Sequence, residues 1–141
     1  MKELRDDRYC FACGPENPIG LKIVVDYTGG GAVSTLTLQR VHEGWANVIH
    51  GGIISTILDE IMAHAVYYYL GPGVTTSLKV DFKSPLAPGE TIMVRGWIKE
   101  KRSRAAIASA EITTEKDQRL IASGESYFIL LSRKNKEKGY A

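Results

Sequence analysis

Cysteine is scarce in this chain, with two in 141 residues, both in Cys10-Phe11-Ala12-Cys13. Two thiols cannot complete a tetrahedral zinc site, which normally takes four Cys or His ligands, and the histidines (42, 50 and 64) lie far away in sequence. No metal is therefore expected. Gly14-Pro15 and Pro18 follow the pair, so it reads as a turn-rich entry loop with reduced thiols. A metal shared across subunits and redox chemistry are the alternatives. Charge of one sign is also missing. A net charge of +2 offers nothing to drive nucleic-acid binding, although a local basic patch could still meet an anionic ligand. No apolar run reaches the roughly 20 residues that cross a bilayer. Met1 to Arg8 is charged and lacks the apolar core of a secretory signal, so a soluble cytoplasmic protein is expected. Internal repeats and low-complexity linkers are absent, which leaves one domain over 1–141. Residues 1–19 form an irregular lead-in to it and 133–141 a charged tail.

What is present reads as strands around one helix. Leu21 to Tyr27 is rich in β-branched residues, Thr28 to Gly31 is a turn, and Ala32 to Leu38 alternates apolar with polar, together a hairpin. A loop from Arg40 to Ile49 follows. From Gly52 to Leu70, apolar residues at 53, 54, 57, 58, 61, 62, 65 and 66 make a broad stripe at the helical period, and Gly71-Pro72-Gly73 stops it. Val74, Thr76, Leu78, Val80 and Phe82 alternate against Thr75, Ser77, Lys79 and Asp81. Further alternating runs cover 92–98, 106–113 and 120–131. A lone apolar helix among six antiparallel strands must be wrapped by their sheet, because nothing else can cover its stripe. The expectation is an α+β, hotdog fold.

The chemistry concentrates in His50-Gly51-Gly52-Ile53-Ile54-Ser55-Thr56-Ile57-Leu58-Asp59-Glu60. Glycines at a helix start let a ligand approach the backbone. The first N–H groups of a helix lack intrahelical acceptors and sit at its positive end, a setting that stabilises an oxyanion. Asp59 lies mid-helix among Ser55, Leu58, Met62 and Ala63, where burial would raise its pKa toward general-base range. Eight residues separate Gly51 from Asp59, about 12 Å along a helix. One side chain cannot span that, so the two can cooperate only across a two-fold dimer, Gly51 of one subunit facing Asp59 of the other.

HGGIISTILDE, with its acid nine residues after the histidine, resembles the PaaI-like group of hotdog acyl-CoA thioesterases. Cys10 to Leu21 (CFACGPENPIGL) and Gly44-Trp45 are similar to a subgroup of that superfamily. The resemblance implies a thioester hydrolase acting on acyl-CoA, with no cofactor beyond the substrate's coenzyme A and no metal. It implies that Gly51 donates its N–H to the thioester carbonyl and that Asp59 activates water or attacks directly. His50 would shape the turn or contact the thioester, and Thr75 would help to hold the water. Gly52, Asn47, Trp45 and Ser77 are the expected substrate contacts. Lys101, Arg102 and Arg104 fall at a strand turn, where they either meet the CoA phosphates or are simply solvated. Relatives carry Asn or Gln six residues before the histidine. This chain has Gly44 there, and Asn47 is the nearby substitute. A homodimer, pairing again into a homotetramer, is the implied assembly.

Bland alternatives remain for each position. His50 could only cap the helix, Gly51 and Gly52 could serve packing, Asp59 could join an ion pair, and Thr75 could be an ordinary strand residue. Glu60, on another helical face, reads as solvated or paired. Tyr67 to Tyr69 read as core and interface. Rival functions are a hotdog hydratase or dehydratase, whose His–acid segments are missing here, and a non-catalytic acyl-CoA binder.

Overall fold

A computed structural model describes residues 4–131. The elements are β1 (Asp26–Thr28), β2 (Gly31–Thr37), α1 (Gly51–Leu70), β3 (Gly73–Phe82), β4 (Thr91–Lys101), β5 (Ala105–Thr114) and β6 (Leu120–Leu130). The six strands form one antiparallel sheet in the order β1-β2-β4-β5-β6-β3. The sheet packs around α1, which buries Ile54, Ile57, Leu58, Ile61, Met62, Ala65 and Val66 against it. This is the hotdog architecture expected from the alternation. Among the described residues, no helix is long and apolar enough to cross a membrane. The expected tail lies outside them.

The sheet can close on the helix because a row of small residues runs beneath it. Ala32 pairs with Gly96, Gly96 with Ala110, and Ala110 with Gly124 across four neighbouring strands. A Cβ on Gly96 would sit 3.1 Å from the Ile61 carbonyl oxygen and 3.1 Å from its Cγ2. On Gly124 it would sit 3.3 Å from the Met62 methyl. Backbone cannot yield as a flexible side chain can, so Gly96→Val is expected to destabilise the fold by about 1–3 kcal/mol. Urea denaturation would show this as a lower midpoint with an unchanged slope.

The expected first strand is much shorter than its composition suggests. Only Asp26–Thr28 pairs with β2. Lys22 adopts φ +53°, which breaks an extended run. The backbone N–H groups of Leu21 and Ile23 instead donate to the carbonyls of Phe11 and Ala12, at 2.9 Å each. The lead-in thus competes with the sheet for this segment, and buried Ala12 and Ile23 anchor it to the core.

Candidate active site

His50 is the N-cap of α1, and its Nδ1 accepts the Gly52 N–H at 2.8 Å. The imidazole is wedged between two glycines. A Cβ on Gly44 would lie 3.3 Å from His50 Cδ2, and one on Gly52 would lie 3.0 Å from Nδ1. This gives a local reason for glycine at position 44: any side chain there would press on the cap. The loop closes through the Gly44 N–H to Val48 O (2.9 Å) and the His50 N–H to His42 O (2.9 Å). Asn47 turns it at φ +62°, a conformation asparagine tolerates better than most residues.

Capping consumes the Gly52 N–H, while Ile53 and Ile54 donate to the His50 carbonyl. The Gly51 N–H has no acceptor among the described residues. It is the donor that the sequence singled out. Phe82 flanks it, since a Cβ on Gly51 would meet that ring at 3.3 Å. The sequence offered Phe82, with Trp45 and Tyr67, as a residue that could suit an acyl group, but alternation alone could not place its ring beside Gly51.

Asp59 projects from the middle of α1 and accepts a 2.8 Å hydrogen bond from the Thr75 hydroxyl. Strict alternation would put Thr75 on the face opposite Leu78, Val80 and Phe82. A bulge between Thr75 and Ser77 reverses the parity. Thr75 pairs with buried Phe128, Leu78 with buried Ser126, and Phe82 with buried Ala122, so all three share the helix-facing side. Burial pushes the Asp59 carboxyl above its ordinary pKa, Thr75 pulls against this, and the charge of Glu60 adds to the rise.

Glu60 behaves oppositely. It is paired rather than solvated, at 17% side-chain exposure, with His64 Nε2 3.0 Å from Oε1. Burial favours its neutral form, but hydrogen bonds from His64, Cys13 and Cys10, with the His64 charge, hold its pKa below the usual value. Burial and the neighbouring Glu60 push the Cys13 thiol far up. In the tyrosine run, Tyr68 stacks on Tyr27 at 3.9 Å between ring centroids, and the Tyr69 hydroxyl donates to Gly31 O at 3.2 Å.

The remaining expected residues are spread around these two points. Trp45 (86% exposed) and Asn47 stand on the loop that delivers His50 and Gly51. Ser77 is exposed just past the bulge. Arg102 is held by Glu100 at 3.1 Å and lies over the Tyr127 ring, and Arg104 is exposed beside it. Their turn joins β4 to β5 at the sheet end where β3 begins, because Ala105 pairs with Ile129 and Ile129 with Val74. Within one chain, therefore, the structure assembles Gly44, His50, Gly51 and Gly52 at one end of α1. Asp59 and Thr75 meet separately, with Gly51 and Asp59 about 12 Å apart along the helix.

Comparison with known proteins identifies the family and the fold. The Thioesterase superfamily model matches residues 46–121, more than half the chain, including Gly51, Asp59 and Thr75. Human acyl-coenzyme A thioesterase 13 is 24% identical over 111 residues, which cover 77% of this chain and 79% of that protein. The crystal structure of zebra fish thioesterase superfamily member 2 superposes with a TM-score of 0.73 at 25% identity, covering 78% of this chain and 82% of that one. The E. coli PaaI protein, from the phenylacetic acid degradation operon, gives a TM-score of 0.73 at 20% identity over 79% of this chain and 81% of its own. At that identity the likeness speaks for the fold alone. The chain belongs to the thioesterase superfamily, as a hotdog-fold member of an enzyme family whose chemistry is thioester hydrolysis.

Proposed function

We propose that the chain hydrolyses acyl-CoA thioesters at two composite sites of a two-fold dimer. One observation carries this reading. The acceptor-free Gly51 N–H and the Thr75-held Asp59 adjoin opposite ends of β3, the strand that ends the sheet. Antiparallel pairing of that edge with its copy would set the Phe82 end of one strand against the Thr75 end of the other. Gly51 of one subunit then faces Asp59 of its partner. Phe82, 59% exposed in the single chain, would be covered by the same contact.

In this mechanism the thioester carbonyl oxygen accepts the Gly51 N–H, at the positive end of α1, where charge develops during attack. Asp59 of the other subunit takes a proton from the attacking water. Alternatively it attacks the carbon itself, and water then releases the acid from the resulting anhydride. Either route breaks the C–S bond, and coenzyme A departs as a thiolate. Thr75 positions the carboxylate, and His50 positions the Gly51 N–H by capping the helix. Gly52 leaves room for the imidazole. Trp45, Asn47 and Ser77 line the approach, and Arg102 and Arg104 meet the CoA phosphates. No cofactor beyond the substrate's own coenzyme A takes part, and paired dimers form the tetramer.

The test is release of free thiol from a panel of aliphatic and aromatic acyl-CoAs, followed with a chromogenic disulfide after subtracting the reaction of Cys10 and Cys13 with the reagent. Turnover of at least one substrate is expected. Failure across the panel, by protein shown to be folded and dimeric, would contradict the reading.

A further inference from the structure

The two cysteines do not stand alone once the chain is folded. The Gly14 N–H donates to the Cys10 carbonyl at 2.8 Å, and a Cβ at Gly14 would fall 2.3 Å from the Cys10 nitrogen, so only glycine permits this tight loop. The loop turns both thiols toward Glu60 of α1. Cys10 Sγ lies 3.9 and 4.0 Å from the two Glu60 oxygens. One ligand atom from each of Cys10, Cys13 and Glu60 falls within 4.8 Å of the others. A tetrahedral zinc with sulfur at about 2.3 Å and oxygen at about 2.0 Å holds those atoms about 3.5 Å apart, so only a small closure is needed.

The carboxylate is already aimed. Tyr27 Oη lies 2.8 Å from His64 Nδ1, and His64 Nε2 lies 3.0 Å from Glu60 Oε1. A tyrosine O–H donating to Nδ1 leaves Nε2–H to donate to Glu60, a relay that fixes the carboxylate as outer ligands fix metal ligands. Cys10, Cys13, Glu60, His64 and Tyr27 all border a cavity of about 720 Å³.

We propose that Cys10, Cys13 and Glu60 bind a zinc ion, with the fourth coordination position open to this cavity and His64 acting as a positioning residue. Both thiol protons pass to solvent as the two Zn–S bonds form. Two thiolates with one carboxylate suit zinc better than harder divalent ions. The ion would tie the lead-in to α1 and so add to the stability of the fold. Sequence alone argued against a metal because it offered only two thiols and distant histidines, and Glu60, about fifty residues on, gave no sign of meeting them. This inference does not depend on the thioesterase reading.

Cobalt added to the reduced, chelator-treated full chain tests it. One cobalt per chain with a thiolate-to-metal charge-transfer band is expected, and zinc should displace it and raise the melting temperature. Cys10→Ser and Glu60→Gln should each lower zinc affinity at least tenfold in competition with a chromogenic chelator, while the far-ultraviolet circular dichroism stays that of the native fold. No charge-transfer band from folded, reduced protein would overturn the proposal. So would affinity unchanged in folded Cys10→Ser or Glu60→Gln.

Discussion

Asp59→Asn is expected to lower kcat by about 10²–10⁴, the range for removing a positioned general base, with KM little changed. The substitution is nearly isosteric, and the amide oxygen can still accept the hydrogen bond from Thr75. What disappears is the charge that takes the water proton or attacks the thioester. Stability should move the other way. A carboxyl whose pKa is raised on folding costs stability as pH rises through its unfolded value, so at neutral pH the ionised Asp59 weighs against the fold. The neutral amide removes that cost, and Asp59→Asn should melt at or above the wild-type temperature. A large loss of activity without loss of stability separates a chemical role from a member of an ion pair. Steady-state kinetics beside a thermal melt decide between them, and an active Asp59→Asn enzyme would sink the assignment.

Gly51→Pro is expected to cost about 10²–10³ in kcat, comparable with loss of one oxyanion donor. Proline is suited to this position. Gly51 is the first residue of α1, where proline is tolerated because its missing N–H has no partner within the helix. His50 has φ −60° and ψ 133°, the extended conformation that a residue before proline prefers. The helix start survives while the one donor is deleted. Gly51→Ala is the control: it keeps the N–H and asks only that exposed Phe82 shift slightly from a 3.3 Å contact. A proline variant as active as the alanine variant would remove the Gly51 N–H from the mechanism.

Both positions were legible because local spacing carries them. His50, Gly51 and Gly52 announce a helix start, and an acid nine residues on falls within its buried length. The sheet was legible from its alternation, but not where tertiary contacts override it. Leu21 to Val25 has strand composition yet bonds to the lead-in, because Lys22 turns out of the extended region. Alternation alone put Thr75 on the wrong face to meet Asp59. Only family resemblance marked it, and the bulge that turns it inward depends on pairing with β6. Gly44 looked like a departure from the family's pattern and acquired a reason only when the His50 ring was found against it. The cluster of Cys10, Cys13 and Glu60 was illegible for a simpler reason: about fifty residues of chain separate its halves.

The claim that the two halves of the site come from different subunits can be measured directly by mixing the two inactive variants. After verified subunit exchange, equal amounts of Asp59→Asn and Gly51→Pro give half mixed dimers under random pairing. Each mixed dimer holds one site with both an intact Gly51 and an intact Asp59. The account predicts recovery of about a quarter of wild-type activity. A mixture that stays as inactive as its components, despite proven exchange, would contradict it.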